Sequence, residues 1–180
     1  AARTNGVTVV AATITAADGQ AGDRFGASLG YDFTASVGYL LVGAPGVDPS
    51  AALTDAGAAY SYTLDGSYNA TFVTRFVGAT AGENAGRSVG ALSISSTLAG
   101  VYGVPGDDAA GTDAGAARSR LLTAPGTVES SLSPINVANA AFGRAVAIDG
   151  NTLAVGLPLD DDAGPNAGAV EIYTRTGTTW

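Results

Sequence analysis

The chain has 180 residues, of which 46 % are hydrophobic and only 13 % charged, and its net charge at pH 7 is −8. It contains no Cys, His, Met or Lys, so all eight basic residues are Arg. This composition excludes disulfides, Cys/His zinc sites, Schiff-base lysines and thiol nucleophiles, and it removes the commonest general base. The acidic balance argues against nucleic acid and anionic membrane surfaces as partners. We therefore expect a protein that is not an enzyme.

The chain starts with Ala1-Ala2 rather than Met, which indicates a processed form or a fragment. Cleavage of a secretory signal after small residues leaves such a start. No run approaches the roughly 18 apolar residues of a membrane-spanning helix, so we expect no membrane span. Together these features predict an extracellular, cell-surface or periplasmic protein.

Three sequence repeats organise the chain, at spacings of 60 and then 57 residues. Each repeat has a Phe-Gly station, a Gly-x-Pro station and an Ala-Gly-Ala station. The Phe-Gly stations are Phe25-Gly26, Ala85-Gly86 and Phe142-Gly143. The Gly-x-Pro stations are Gly43-Ala44-Pro45, Gly103-Val104-Pro105 and Gly156-Leu157-Pro158, and the Ala-Gly-Ala stations are residues 56–58, 114–116 and 167–169.

The predicted elements, in chain order, are short strands separated by Gly, Pro, Asp and Asn. An orphan fourth strand over residues 7–15, within segment 1–20, precedes the first blade at residues 21–80. The second blade spans 81–138, and the third blade, 139–180, lacks its fourth strand. Third strands are predicted at 58–64, 116–122 and 169–174, and fourth strands at 70–77 and 128–137.

About 60 residues and four antiparallel strands per repeat are typical of a β-propeller blade. The predicted fold class is therefore all-β, with three four-stranded units in the order strand 4-(1-2-3). Phe25-Gly26 followed by Gly43-Ala44-Pro45 resembles the FG-GAP repeat, the blade type of integrin α-subunit propellers and of many bacterial surface proteins. The second repeat departs from that pattern at Ala85 and Val104. The resemblance implies a propeller fold and a role in protein interaction.

Three blades are fewer than the four to eight of closed propellers. Two copies could pair as three plus three blades, a missing part of the chain could supply the others, or subunits could exchange terminal strands. We expect the ring to be completed by a second copy or by a missing part of the chain.

The FG-GAP resemblance also implies a calcium loop of the form Asp-x-Asp-x-Asp-Gly between the first two strands, and this sequence departs from that pattern. Carboxylates collect instead after the Gly-x-Pro stations, where hard oxygens on a loop favour Ca²⁺ as the one cofactor to consider. The competing interpretation is that these Asp residues cap turns. The candidate calcium ligands are Asp107, Asp108, Asp113, Asp160, Asp161 and Asp162.

Aromatic side chains recur at corresponding positions of the repeats and present two alternatives. They could stack on sugars between blades, or they could fill the blade cores. The candidate ligand-binding residues are Tyr60, Tyr102, Tyr173 and Trp180, whereas Phe25 and Phe142 are predicted core residues.

Gly-x-Ser-x-Gly occurs at residues 26–30 and 86–90, but without a His it is interpreted as part of the repeat rather than a catalytic elbow. Arg24, Arg87 and Arg144 lie next to the Phe-Gly stations, where they could bind an anion or pair with loop Asp residues. No catalytic residue is predicted.

The sequence predicts a non-catalytic extracellular or cell-surface module for structure or protein interaction. Its expected partners are copies of itself, a larger surface assembly, or a protein or glycan ligand. The alternative is a lectin-like propeller that binds carbohydrate and depends on calcium.

Overall fold

The computed structural model describes residues 2–4, 7–34, 37–94, 97–121, 128–134, 138–177 and 179–180. These residues form thirteen strands and no helix. Strands β1 (Ala2–Thr4) and β2 (Val7–Val9) form a short antiparallel hairpin at the start of the chain. All other strands belong to three antiparallel sheets, which confirms the all-β class.

Blade 1 is a four-stranded sheet in which each strand pairs with the next one in sequence. Its strands are β3 (Ser28–Thr34), β4 (Val37–Ala44), β5 (Ala58–Leu64) and β6 (Ala70–Val77). Strand β5 is buried along almost its whole length. Six of its seven residues are buried, because the strand is covered on both faces of its sheet.

Blade 2 repeats this topology, and blade 3 contains three strands. Blade 2 consists of β7 (Val89–Ile94), β8 (Thr97–Val104), β9 (Ala116–Leu121) and β10 (Val128–Leu132). Blade 3 consists of β11 (Ala145–Asp149), β12 (Thr152–Leu157) and β13 (Ala169–Thr174). The strand predicted over 128–137 ends at Leu132, and residues 135–137 lie outside the described part of the chain.

The blades stand side by side, with β3 next to β7 and β7 next to β11. We call the face of a blade that points to the following blade its trailing face, and the opposite face its leading face. Leu41, Ala59 and Phe76 on the trailing face of blade 1 share a buried cluster with blade 2. Val101 and Ala117 share the next cluster with blade 3. The described blades do not close into a ring.

The strand predicted over residues 7–15 is shorter in the structure. Only Val7–Val9 is a strand, and it pairs with β1. Residues 10–16 continue without a sheet partner, and Ile14 and Ala16 pack against the leading face of blade 1. The physical reason is the distance between these residues and an unpaired strand edge. The unpaired edge of blade 3 belongs to β13, at the other end of an open row of blades, and a strand requires an adjacent edge.

Candidate functional site

A repeated corner joins each blade to the next one. Gly43 lies so close to the following Phe-Gly station that a Cβ there would overlap the carbonyl oxygen of Gly86, and Gly103 has the same relationship to Gly143. The Ser28 hydroxyl donates to the Gly86 carbonyl at 2.8 Å. The hydroxyls in both Gly-x-Ser-x-Gly motifs therefore serve packing between blades, since Ser88 donates to Gly143 in the same way at 2.7 Å.

Backbone hydrogen bonds connect the Ala-Gly-Ala station of one blade to the Phe-Gly station of the next. The Ala85 N–H donates to the Ala56 carbonyl at 2.9 Å, and the Phe142 N–H donates to the Ala114 carbonyl at 2.9 Å. The glycines Gly57 and Gly115 permit this approach, because a Cβ at either position would overlap the neighbouring backbone. The Ala-Gly-Ala station of one blade and the Phe-Gly station of the next are thus the two sides of one contact between blades.

The trailing face of blade 3 presents an unoccupied half of this contact. Val170 and Ile172 on β13 are 66 % and 62 % exposed. Their counterparts in blade 1, Ala59 and Ser61, are fully buried. The sheet face that is covered in blade 1 is thus uncovered in blade 3.

The leading face of blade 1 is also rich in exposed apolar side chains. Leu29, Tyr31 and Phe33 alternate along β3 and are 65 %, 53 % and 56 % exposed. The counterparts of the first two in blade 2, Val89 and Ala91, are 7 % and 9 % exposed because blade 1 covers them. The two ends of the row of blades therefore each carry an apolar face.

A groove of about 1020 Å³ lies beside blade 1, between residues 12–18 and strands β5 and β6. Tyr62, Tyr68 and Phe72 supply aromatic rings to its lining, and Asn69 supplies an amide. Tyr68 and Phe72 are each 52 % exposed. Exposed rings beside a hydrogen-bonding amide form a surface on which a planar or sugar-like ligand could stack.

Arg75 and Asp18 form an ion pair at the edge of this groove. Tyr60 donates its hydroxyl to Asp18 at 3.2 Å and is 2 % exposed. Burial raises the pKa of Tyr60, and the hydrogen bond between Tyr60 and Arg75 raises the pKa of Arg75. This arrangement fastens residues 10–18 to blade 1.

The predicted ligand-binding tyrosines lie in the blade cores. Tyr60 contacts Phe25 edge to face at 5.4 Å, and fully buried Tyr102 stacks on Phe76 at 5.7 Å. Tyr173 contacts Phe142 edge to face at 6.2 Å. These contacts agree with the core alternative, and ligand binding by the tyrosines stays a prediction.

Trp180 is partly buried and packs against the cluster between blades 2 and 3. The Arg175 guanidinium lies 5.9 Å from the centre of its ring. The Trp180 indole N–H is buried without an acceptor among the described residues. Tyr60, Tyr102 and Tyr173 belong to three different clusters, and Trp180 packs against the same cluster as Tyr173, so the structure does not bring the four predicted ligand residues into one site.

In each of the three blades, an Asp of the acidic loop accepts a hydrogen bond from a backbone N–H later in the same loop. Oδ1 of Asp108 accepts from the Asp113 N–H at 2.8 Å, and Oδ1 of Asp161 accepts from the Asn166 N–H at 2.6 Å. Asp48 accepts from the Asp55 N–H at 2.6 Å. Such side-chain to backbone bonds are typical of turn-capping Asp residues.

Two more of the predicted calcium ligands also accept hydrogen bonds within their loops. Asp107 accepts from the Ala109 N–H at 2.9 Å, and Asp160 accepts from the Asp162 N–H at 3.1 Å. Among the described residues, no group of three or more carboxylates is arranged to hold a metal ion. Calcium binding at these loops stays a prediction that rests on the sequence.

Sequence reasoning missed a buried charged cluster in blade 2. Arg118 pairs with Asp107 and lies 3.4 Å from Oε1 of Glu83. The negative charges of Glu83 and Asp107 raise the pKa of Arg118 against the opposing effect of burial. The sequence signal for this cluster was the arginine at position 118, because the corresponding residues of the other blades, Tyr60 and Glu171, are not cations.

The three arginines beside the Phe-Gly stations do not form one ring. Arg87 and Arg144 line a shared pocket of about 270 Å³ together with Asp113. Arg24 pairs instead with Asp55, at 3.3 Å. Arg24 thus follows the alternative of pairing with a loop Asp, and anion binding by these arginines stays a prediction.

The described residues include no helix long and apolar enough to cross a membrane. Antiparallel blades joined by a repeated glycine-lined corner define the chain as part of a β-propeller repeat protein. The FG-GAP repeat model matches residues 9–62 and 136–173, which together are just over half of the chain. The chain belongs to the FG-GAP repeat family. No curated protein matches it.

The family assignment agrees with the geometry of the repeats. The matched ranges contain Phe25-Gly26 and Phe142-Gly143, whereas Ala85 and Val104 of the second repeat lie outside them. Blade 2 nevertheless has the same four-stranded topology as blade 1. FG-GAP repeats suggest an integrin-like propeller module for protein interaction, and such domains are typically extracellular or surface-associated.

Proposed function

We propose that this chain is a non-catalytic structural or protein-interaction module outside the cell or at its surface, and that it assembles with copies of itself. The observation that carries the proposal is the pair of exposed apolar faces at the two ends of the row of blades. Leu29, Tyr31 and Phe33 form one face, and Val170 and Ile172 belong to the other. Faces of this kind mark surfaces that bind protein.

The proposed mechanism is rigid display. Sheets joined by backbone hydrogen bonds and glycine-lined corners hold the loops and the end faces in fixed positions. Rigid surfaces lose little conformational entropy on binding, which favours association. The hydroxyls of Ser28 and Ser88, the best candidates for nucleophiles by motif, already bond to carbonyls of the next blade.

Native mass spectrometry together with light scattering tests this proposal. We expect an assembly whose mass is a multiple of the 17.5 kDa of one copy. A single copy that stays monomeric at micromolar concentrations would contradict self-assembly. Thermal melts with and without a metal chelator test the calcium loops, since loss of thermal stability with the chelator would support a bound ion.

The groove beside blade 1 favours carbohydrate binding as a second candidate function. Its exposed rings, Tyr68 and Phe72, lie next to the Asn69 amide and the Arg75–Asp18 ion pair. A glycan array with the purified chain tests this candidate. We expect Phe72→Ala to abolish sugar binding, whereas Phe33→Ala, at an equally exposed ring outside the groove, leaves binding intact.

A further inference from the structure

Blade 3 keeps a glycine that the described part of the chain does not require. Gly43 and Gly103 are needed because the next blade's carbonyl lies against them. Gly156 occupies the same station, but the nearest atom to a Cβ there is the Ala145 side chain at an ordinary 3.5 Å. The space beside Gly156 thus fits the Phe-Gly station of a further blade on the trailing face of blade 3.

The first Phe-Gly station carries the complementary half. A Cβ at Gly86 or Gly143 would overlap a carbonyl of the preceding blade, at Ala58 and Ala116 respectively. Gly26 has the same left-handed backbone, with φ of 92°, but no atom lies within 4 Å of the Cβ position. Its counterpart in a further blade would be the Ala169 carbonyl.

Residues 10–17 provide a third correspondence between the two ends of the row of blades. Ala16 lies ten positions before Gly26, as Phe76 lies ten positions before Gly86. Phe76 belongs to the fourth strand of blade 1 and packs on blade 2, and Ala16 packs on blade 1 in the same way. Residues 10–17 therefore stand where the fourth strand of a preceding blade would stand.

Two departures from the repeat, one at each end of the row of blades, both add volume at this contact. Gly30 faces Ala91 across the first contact between blades, with 2.7 Å from its Cβ position to the Ala91 nitrogen. In blade 3 Ala147 replaces that glycine, and in blade 1 Tyr31 replaces that alanine. The Ala147 Cβ would overlap the facing backbone at the internal spacing, so a contact between these two ends must open wider than the internal ones, and the Tyr31 ring then fills the added space.

Ala145 indicates that a contact on the trailing face of blade 3 is weaker than the contacts between blades within the chain. It stands where Ser28 and Ser88 donate to the next blade. A contact at this position would lack that hydroxyl, and with it one hydrogen bond. We expect a contact between separate copies to be weaker than an internal one, because it forms and dissociates.

We propose that two copies of this chain join head to tail. Residues 10–17 of each copy form the fourth strand of the other copy's blade 3, and the Phe-Gly station at Gly26 docks on Gly156. Two identical contacts then close a six-bladed ring, within the range of known propellers. This inference rests on the self-assembly proposed above and specifies its partner and its contact.

The pairing of β5 with β6 gives the register of the new strand pair. Ser61 is paired with Thr74 in blade 1, and the corresponding residues are Ile172 and Ile14. Opposite residues in an antiparallel pair have Cα atoms about 4.5–5.5 Å apart, which suits a disulfide. Within one copy these residues belong to opposite ends of the row of blades, so a bridge between them joins two copies.

The test uses a double variant, Ile14→Cys with Ile172→Cys, in a chain that contains no other cysteine. After mild oxidation we expect a covalent dimer on a non-reducing gel, which returns to single copies on reduction. The matched control joins Ile14→Cys with Leu159→Cys. Leu159 is an exposed residue of blade 3 beside blade 2, and this pair should give no dimer.

A second measurement does not depend on oxidation. Ile172→Asp places a charge in the contact, and Gly156→Ala fills the space for the Gly26 carbonyl, so both should shift the native mass from two copies to one. Leu159→Asp is the control and should leave the dimer intact. Circular dichroism of each variant separates loss of the dimer from loss of the fold.

The outcomes separate this inference from the proposed function. A dimer that neither cross-links through Ile14 and Ile172 nor dissociates in Ile172→Asp would overturn the head-to-tail contact and leave self-assembly standing. A ladder of cross-linked masses would overturn the closed ring. A monomeric wild-type chain would overturn both the contact and self-assembly.

Discussion

The hydroxyl of Ser28 donates a 2.8 Å hydrogen bond to the carbonyl of Gly86, at the first turn of the next repeat. Ser88 and Gly143 repeat this relationship at 2.7 Å. The bond joins the start of the innermost strand of one blade to the Phe-Gly station of the next. The same hydrogen bond therefore joins successive repeats at corresponding positions in the folded structure.

Ser28→Ala and Ser88→Ala test how much these bonds stabilise the row of blades. Each variant removes the hydroxyl and leaves a buried carbonyl with one partner fewer, so we expect a loss of about 1 kcal/mol in the free energy of unfolding. Urea denaturation followed by circular dichroism measures the effect. The double variant should lose the sum, because the two bonds lie in different contacts. A loss close to zero in all three variants would show that the bonds contribute no net stability.

Gly103→Ala tests the close approach of neighbouring blades. A Cβ at this position would overlap the Gly143 carbonyl oxygen, so blades 2 and 3 must separate. We expect a loss of about 3 kcal/mol, the upper end of overpacking effects, in the same urea experiment. Gly66→Ala is the control, because no atom lies within 4 Å of the Cβ position there. Equal stability of the two variants would contradict the proposed role of Gly103.

Local sequence signals predicted most of the blade architecture. The Gly-x-Pro station ends β4 and β8, because proline cannot donate to a sheet. Gly150 and Asn151 form a tight turn between β11 and β12, directly after Asp149. These signals depend on the conformations of a few adjacent residues, so they can be recognised in a single sequence.

The features that sequence reasoning missed depend on residues far apart in the chain. Residues 7–15 have high strand propensity, yet only Val7–Val9 forms a strand, because pairing requires a neighbouring edge. Glu83 and Arg118 are 35 positions apart in the chain and come into contact only in the folded blade 2. The exposure of Leu29 and Val170 likewise depends on which blade covers which face.

Arg118→Met tests the buried charged cluster of blade 2. The substitution leaves the carboxylates of Glu83 and Asp107, whose side chains are 4 % and 5 % exposed, without their cation. Removing one partner from a buried ion pair typically costs about 3–5 kcal/mol, which we expect in the urea experiment. Arg24→Ala breaks an exposed pair and should cost less than about 1 kcal/mol.

A triple variant distinguishes lost charge compensation from lost packing. Glu83→Gln and Asp107→Asn keep the oxygens that accept from the Ala79 and Ala109 N–H groups while removing both negative charges. Combined with Arg118→Met, they should restore much of the lost stability. If the triple variant is as unstable as Arg118→Met alone, the uncompensated charges are not the cause.

Alkaline pH should destabilise the protein through its buried tyrosines. Burial is the main cause that raises the pKa of Tyr60, Tyr62 and Tyr173 above the value of 10.0 for an exposed tyrosine. The unfolded chain therefore releases these protons at a lower pH than the folded chain does. Stability from the neutral tyrosines is complete below pH about 10 and is lost as the pH rises through their folded pKa values.

Thermal melts from pH about 8 to about 11 measure this loss. We expect the melting temperature of the wild type to fall above pH about 10, and the fall to be smaller in Tyr173→Phe, which has no phenol to ionise at that site. Tyr68→Phe is the control, since it removes a phenol that is 52 % exposed. An equally steep fall in Tyr173→Phe and the wild type would show that Tyr173 does not contribute to the alkaline transition.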